Sequence, residues 1–381
     1  ECLTYEATGG DFEWQACGGG GGGADADAFV VESNPGTAAV ATGTDDLAMG
    51  DGAVANGAGA VAIGNLSDAG NAGADLGAIA IGNGAQALGK SATAIGEGSV
   101  TSASDSVSIG SFALASGTRS VAIGAADTAP SAANATANGA IAIGHGSEAS
   151  ASDAIVIGRY GTGAGAQTVG IGYSVSTSQV GGVAIGYNSI SSGKYSVALG
   201  HGTDATANHA IGIGREVQAT GANCIAIGGN VKTTDSADCS AVNSIALGQA
   251  ILADDIGEFA FASGEFAVQS DAHRSWYVLR NQTTDATETE LFADASAGDI
   301  SVGSDCSMSG FIRIVARRTD ADGETAHYTI EWTIDNNAGT TALVGAVSVV
   351  TVAEDTAAWS VTATADNSND GINILVTGEA S

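Results

Sequence analysis

Val61-Ala62-Ile63-Gly64, Ile79-Ala80-Ile81-Gly82, Val121-Ala122-Ile123-Gly124, Val183-Ala184-Ile185-Gly186 and Ile225-Ala226-Ile227-Gly228 are copies of one theme. The theme recurs across residues 50–248 at nearly constant spacing. The step from Gly82 through Gly96 and Gly110 to Gly124 is 14 residues, and the same step carries Gly144 through Gly158, Gly172, Gly186, Gly200 and Gly214 to Gly228. A fixed period of this kind is the signature of a solenoid. Within a period, β-branched residues alternate around an alanine, which predicts a short strand and argues against a helix. The second half of a period alternates small residues and ends in a polar turn, as in residues 144–153. Each period is therefore expected to hold two short strands and two turns, with the Val/Ile face buried. The glycine after the apolar pair permits the sharp bend between them.

Ordering fourteen backbones costs about 1–2 kcal/mol per residue. Burying two large apolar side chains returns only about 1.5–3 kcal/mol each. A lone coil is thus unstable, and stability must come from stacking. With alanine so frequent and the core so thin, lateral association of chains is expected as well.

Ser120 to Gly124, followed in pattern by Ala85-Gln86-Ala87-Leu88-Gly89, resembles the head repeat of YadA-type trimeric autotransporter adhesins. The resemblance covers about half of the chain and implies a left-handed parallel β-roll, three copies of which associate into a trimeric head. It implies no chemistry of its own. A trimeric autotransporter also needs a secretion signal and a membrane-spanning barrel. Neither is read here, and the sequence begins at Glu1 without methionine, so a processed product or part of something longer is expected.

Eleven basic residues stand against 42 acidic ones, a formal charge of −31. That balance opposes nucleic acid or an anionic membrane as partner and favours a soluble, exposed surface. No run of about eighteen apolar residues is present, so membrane insertion is not expected. The five cysteines, Cys2, Cys17, Cys224, Cys239 and Cys306, have no zinc spacing. His145, His201 and His209 are expected as solvated side chains at turns or strand edges.

Taken in order, residues 1–17 are expected to form a β-hairpin. A two-residue turn at Gly9-Gly10 places Tyr5 opposite Trp14 and Cys2 opposite Cys17. That pairing allows a cross-strand disulfide, with two reduced thiols as the alternative. Residues 18–28 open with six glycines and form a flexible hinge. Residues 29–46 are a transition or cap, and residues 47–270 are the roll. Phe259 and Phe261 continue the apolar register and are expected to plug the roll's open end. Residues 271–381 change composition, with longer strands at Trp276-Tyr277-Val278-Leu279-Arg280, 311–317, 328–334, 346–352, 359–362 and 372–376. They predict a small antiparallel domain, sandwich or barrel-like. This segment resembles a C-terminal module of bacteriophage structural and fibre proteins, and the Leu3-Thr4-Tyr5…Trp14 hairpin resembles short segments of phage tail and virion fibre proteins. The overall class is all-β.

Asp320-Ala321-Asp322-Gly323-Glu324 has half of a calcium loop but lacks the distal glutamate, so a hairpin turn is expected. Asp45-Asp46 and Asp254-Asp255 are neighbours on a strand, pointing to opposite faces, and make no carboxylate dyad by themselves. No catalytic residue, metal site or cofactor is expected. A polysaccharide depolymerase needs paired carboxylates on adjoining coils, and an ice-binding roll needs a regular threonine array; neither pattern is present. The reading that follows is a non-catalytic, homotrimeric virion fibre that contacts other virion proteins and attaches to a host-surface glycan or protein receptor. The alternative is a bacterial surface adhesin of the trimeric autotransporter kind.

Three coils break metre. Gly64 to Gly82 is 18 residues, and Gly124 to Gly144 and Gly228 to Gly248 are 20 each. To keep strands in register the extra residues must bulge outward at turns. The candidate contact residues are therefore Asp68 and Asn71, Asp127 and Asn134, and Lys232 and Asp235. Neutral loop growth is the alternative reading.

Overall fold

The computed structural model describes residues 2–5, 12–15, 29–31, 37–70, 76–126, 131–229, 237–294, 299–319 and 323–379. Among them there is no α-helix. The chain is a parallel β-solenoid of about fifteen turns followed by small antiparallel sheets. It forms two compact units, residues 1–209 and 210–381.

In the first unit each period supplies one strand to each of two parallel sheets. Val61–Ile63 pairs in register with Ile79–Ile81, and Asp68–Ala69 with Gln86–Ala87. Across the long coil at 125–133 the register is kept, Val121 opposite Ile141 and Leu114 opposite Asn134. Phe29–Val31 already pairs in parallel with Leu47–Met49. Glycine after the first strand is required twice over. Gly82 has φ +136°, and a Cβ there would lie 2.5 Å from the carbonyl oxygen of Gly96 in the next coil.

The interior reverses the expected sidedness. Ala60, Ala62, Ser67 and Ala69 are the inward residues of one coil and Ala140, Ala142, Ser147 and Ala149 those of another, all fully buried. Val and Ile instead lie on the outer surface, Ile157, Ile171 and Ile185 each 37% exposed. Two sheets separated by one layer of mostly small side chains leave little room for large residues, and those that do lie buried, such as Val156, Val175, Val217 and Ile251, are few. Period two then sends the larger neighbours outward. Several interior hydroxyls are satisfied locally: Ser147 Oγ donates to the carbonyl of Gly144 at 2.9 Å and Thr168 Oγ1 to that of Gly165 at 2.9 Å, whereas the hydroxyls of Ser108 and Ser120 have no hydrogen-bond partner among the described residues. Val156 is an exception among the inward positions, and its volume is offset by glycines. A Cβ on Gly161 or on Gly163 would sit 2.7 Å from a Val156 methyl.

At the start of the chain, Cys2–Tyr5 pairs antiparallel with Phe12–Gln15, setting Cys2 opposite Gln15 and Tyr5 opposite Phe12. The register lies two residues away from the expected one, and the expected turn at Gly9-Gly10 falls outside the described residues. Cys17, and with it the expected disulfide, falls outside the described residues.

The second unit opens with coils of the same kind, Ile211–Arg215 pairing with Ile225–Gly229 and Ile245–Gln249 with Phe259–Ser263. The phenylalanines do not plug the end. Phe261 is 51% exposed in the outer column, while Ala260 and Ala262 keep the inward places. The strand edge is covered instead by Arg274–Trp276, which adds antiparallel to Phe259–Ser263. Trp276 stacks on Phe259 with ring centroids 5.0 Å apart. The expected strand through Arg280 stops at Trp276, and only Arg280 bridges onward, to Phe292.

Two antiparallel sheets follow. One joins Glu288–Glu290, Ile300–Ser301 and Ser360–Asp366 to Gly371–Thr377. The other joins Cys306–Arg317, Thr340–Leu343 and Ser348–Glu354 to Thr325–Asn337. Ile314, Ile330, Ile334, Ile372 and Ile374 form their shared core. Arg317 pairs with Thr325, so the acidic segment after Arg318 is a hairpin connection, with Arg318 and Glu324 in an ion pair of 3.2 Å.

Candidate functional site

The outward positions of the first unit form columns with one residue per coil. Ile155, Val169, Val183 and Val197 make one, and Ile157, Ile171, Ile185 and Leu199 the next. Both are apolar except at Thr93, which stands in the first column between Ile79 and Val107. The outward column of the opposite sheet is mixed, running through Leu114, Asn134, Glu148, Thr162, Ser176, Ile190 and Asp204. Two sheets of one roll thus carry different outer chemistry: one suited to water, the other to cover.

Beside the apolar columns lies an aromatic ladder. Tyr173 stacks on Tyr187 at 5.0 Å between centroids and Tyr187 on His201 at 4.9 Å, with planes within 10° of parallel. Tyr160 continues it, edge-on to Tyr173 and to His145, and the Arg159 guanidinium lies 4.8 Å over the Tyr160 ring. A second stack, Tyr195 on His209, sits at another corner. Of the histidines expected as solvated side chains, His201 and His209 are exposed and His145 is half-buried, and each also has a ring partner. The ladder follows from the repeat, since side chains at one position of successive coils are set a strand spacing apart, about 4.7–4.9 Å.

Four large residues take left-handed backbone angles at corners: Leu66, Phe112, Tyr160 and Tyr195. Each lies over a glycine one coil earlier. A Cβ on Gly52, Gly98, Gly146 or Gly181 would meet the Leu66, Phe112, Tyr160 or Tyr195 side chain at 2.8, 2.8, 2.6 and 2.5 Å. This pairing was legible as a glycine fourteen residues before each bulky corner residue.

Of the six candidate contact residues, Asp68 and Asn134 are placed on strands, not in bulges. Asp68 lies between Val54 and Gln86 in its sheet, half-buried, and burial raises its carboxyl pKa. Asn134 lies between Leu114 and Glu148. Asn71, Asp127, Lys232 and Asp235 fall outside the described residues. The first long coil carries its extra residues after its second strand, whereas the other two carry theirs after the first strand. The three insertions therefore leave the roll at two different turns.

Carboxylates replace alanine or serine in one inward column at residues 46 and 258. Asp46 accepts backbone N–H bonds from Gly43 at 2.6 Å and Ala60 at 2.9 Å. Glu258, 2% exposed, accepts from the N–H groups of Asp254 at 3.1 Å and Asp255 at 3.3 Å and from the Ser275 hydroxyl. Burial pushes the Glu258 pKa up, and the neighbouring Asp255 adds to the rise against the opposing Ser275 bond. Asp255 accepts from the Tyr277 hydroxyl at 2.8 Å and from Ser301 N at 2.9 Å and Oγ at 2.7 Å. His273 Nε2 is 3.8 Å from Glu258. These acids hold backbone turns and tie the last coil to the module. Among the described residues no group of His, Cys, Asp and Glu is arranged to hold a metal ion. A disulfide joins Cys224 and Cys239 across the interior of one coil. Its irregular spacing of 15 hid it, but both cysteines occupy inward positions otherwise given to alanine or serine.

A search of curated proteins finds no match. The family model of the YadA head domain repeat matches residues 41–67, 76–99, 102–126, 135–160 and 178–203. Between residues 41 and 203 the roll is thus similar to the YadA head domain repeat, in agreement with its parallel β-solenoid fold.

Proposed function

We propose that the protein is a homotrimeric adhesive fibre, exposed on a phage virion, that attaches to a host surface without catalysis. The observation that carries the trimer is the pair of outward columns, apolar at every coil but that of Thr93, beside an opposite sheet whose outward column is mixed. A contiguous apolar stripe of this length on a secreted surface calls for cover. Identical chains cover such a stripe most simply by cyclic closure.

Adhesion is supported by the family of the repeats and by the exposed ladder of tyrosines and histidines. The extra residues of the three long coils, among them Asn71, Asp127, Lys232 and Asp235, with Asp68 and Asn134 on the neighbouring strands, are the proposed contacts to a host glycan, a host protein or neighbouring virion parts. The buried acids are engaged by backbone amides and hydroxyls, which supports a structural role over a catalytic one. The Cys224–Cys239 bridge fits an oxidising, extracellular setting. The virion location rests on the resemblance of the first and last segments to phage fibre proteins. A bacterial cell-surface adhesin is the second reading, favoured by the YadA repeats themselves.

Trimming the three long coils to fourteen residues and measuring adsorption to host envelope tests the contact role. Adsorption is expected to fall with the trimer intact. Unchanged adsorption by a folded, trimmed protein would rule these segments out as the contacts.

A further inference from the structure

The sheet built on Thr325–Asn337 has two open edges. Cys306–Arg317 pairs along its full length with Thr325–Asn337 and, among the described residues, with no strand on its other side. Ser348–Glu354 likewise pairs only with Thr325–Asn337. All seven of its residues are exposed, including Val350 and Val352 at 53% each. Exposed edge strands normally protect themselves with lysine, proline or a bulge that turns the edge away. Residues 348–353 carry no charge and no proline, and the strand's one protective irregularity is a register shift between His327 and Tyr328 that leaves Val352 unpaired.

The edge of Cys306–Arg317 is also the lip of a cleft of about 870 Å³. Its other lip is the extended segment 277–285, and Leu279, Ile312, Ile314 and Trp359 are among its lining residues. The lips' outward residues are left bare: Val278 is 79% exposed, Phe311 65% and Val315 76%. Arg280, Arg313 and Arg317 line the same cleft, in a chain with eleven basic residues, and form no ion pair among the described residues. A free sheet edge beside a cleft of mixed lining, with apolar side chains for alternate residues and polar groups around them, is the arrangement that receives an added strand.

We infer that the occupant is Ser348–Glu354 of a second copy, added to the free edge of Cys306–Arg317. The strand is apolar where the cleft is apolar. It ends in Glu354 and Asp355, opposite in sign to the arginines around the cleft. One edge of a copy joins the other edge of the next, a heterologous contact that closes only as a ring. The trimer of the roll supplies that closure, so this inference rests on the trimeric reading. It adds to it an exchange of strand contacts through which the modules lock the fibre's end.

The test uses the full chain carrying Val315→Cys and Val350→Cys together, treated with a short bismaleimide, with each single variant as control for Cys306 and light scattering alongside. Covalent trimers are expected from the double variant only, and adding Val352→Lys is expected to abolish them while the trimer mass persists. A trimer that gives no cross-link overturns the strand addition and leaves the trimer standing. A folded monomer overturns both. If the double variant fails to fold, hydrogen exchange on the unmodified protein decides. The amides of Cys306–Arg317 that point away from Thr325–Asn337 are expected to be protected, and free exchange there overturns the inference.

Discussion

Val156 and Gly163 offer a quantitative test of the idea that the coil interior has a fixed, small volume. Val156 is fully buried, and a Cβ on Gly163 would lie 2.7 Å from its Cγ2. Gly163→Ala alone therefore overpacks the coil, at an expected cost of about 1–3 kcal/mol. Gly163 needs no left-handed backbone, so the cost is steric. Val156→Ala alone empties the space of two methyl groups and costs about 1–3 kcal/mol. Combined, the two substitutions recreate the Ala142 and Ala149 pair found fourteen residues earlier, both fully buried. The double variant should then lie within about 1 kcal/mol of the parent, so that the coupling cancels most of the summed single losses of about 2–6 kcal/mol. Urea unfolding followed by circular dichroism reads all four corners of the cycle. Additive losses, or a neutral Gly163→Ala, would refute the volume argument and with it the reason the large residues face outward.

Other consequences concern the acids and the disulfide. Burial raises the Glu258 pKa, so its folded form holds the proton more tightly than its unfolded form. The stability it contributes is full below the ordinary glutamate pKa and is lost as pH rises through the raised value. Glu258→Gln should remove that dependence and stabilise the junction at neutral pH, read by thermal melts from pH 4 to 8. Asp46→Ala removes the acceptor of the part-buried Gly43 N–H and leaves the buried Ala60 N–H only its 3.3 Å bond to the Gly57 carbonyl, at an expected cost of about 1–3 kcal/mol. Faster hydrogen exchange across residues 43–60 would register that loss, and Asp46→Asn should recover part of it. Reducing Cys224–Cys239 opens a loop of 15 residues and should lower stability by about 3 kcal/mol, measured by unfolding with and without reductant.

The period made the architecture legible. Fourteen-residue steps between glycines fixed the strands, the two-sheet coil and the stacking, because the register of a roll is its sequence spacing. Sidedness was not legible. Val-Ala-Ile alternates equally well with either set inward, and only the distance between the two sheets selects alanine. The same spacing hid the capping acids, since Asp46 and Glu258 stand where other coils have alanine or serine and differ only by occupying the inward column. The ladder of Tyr173, Tyr187 and His201 was visible as residues at a common phase, but its stacking needed the coil rise. The open edges of the module were beyond reach, because pairing of Cys306–Arg317 and Ser348–Glu354 depends on long-range topology.

The central claim is that Val and Ile face outward to be covered by other copies of the chain. Light scattering of the purified protein, beside a variant carrying Ile171→Asp and Ile185→Asp, tests it most directly. The account predicts a mass about three times the 36.9 kDa chain for the parent and the single-chain mass for the variant, whose interior is untouched. A parent that is folded at the single-chain mass, or a variant that stays trimeric, would contradict it.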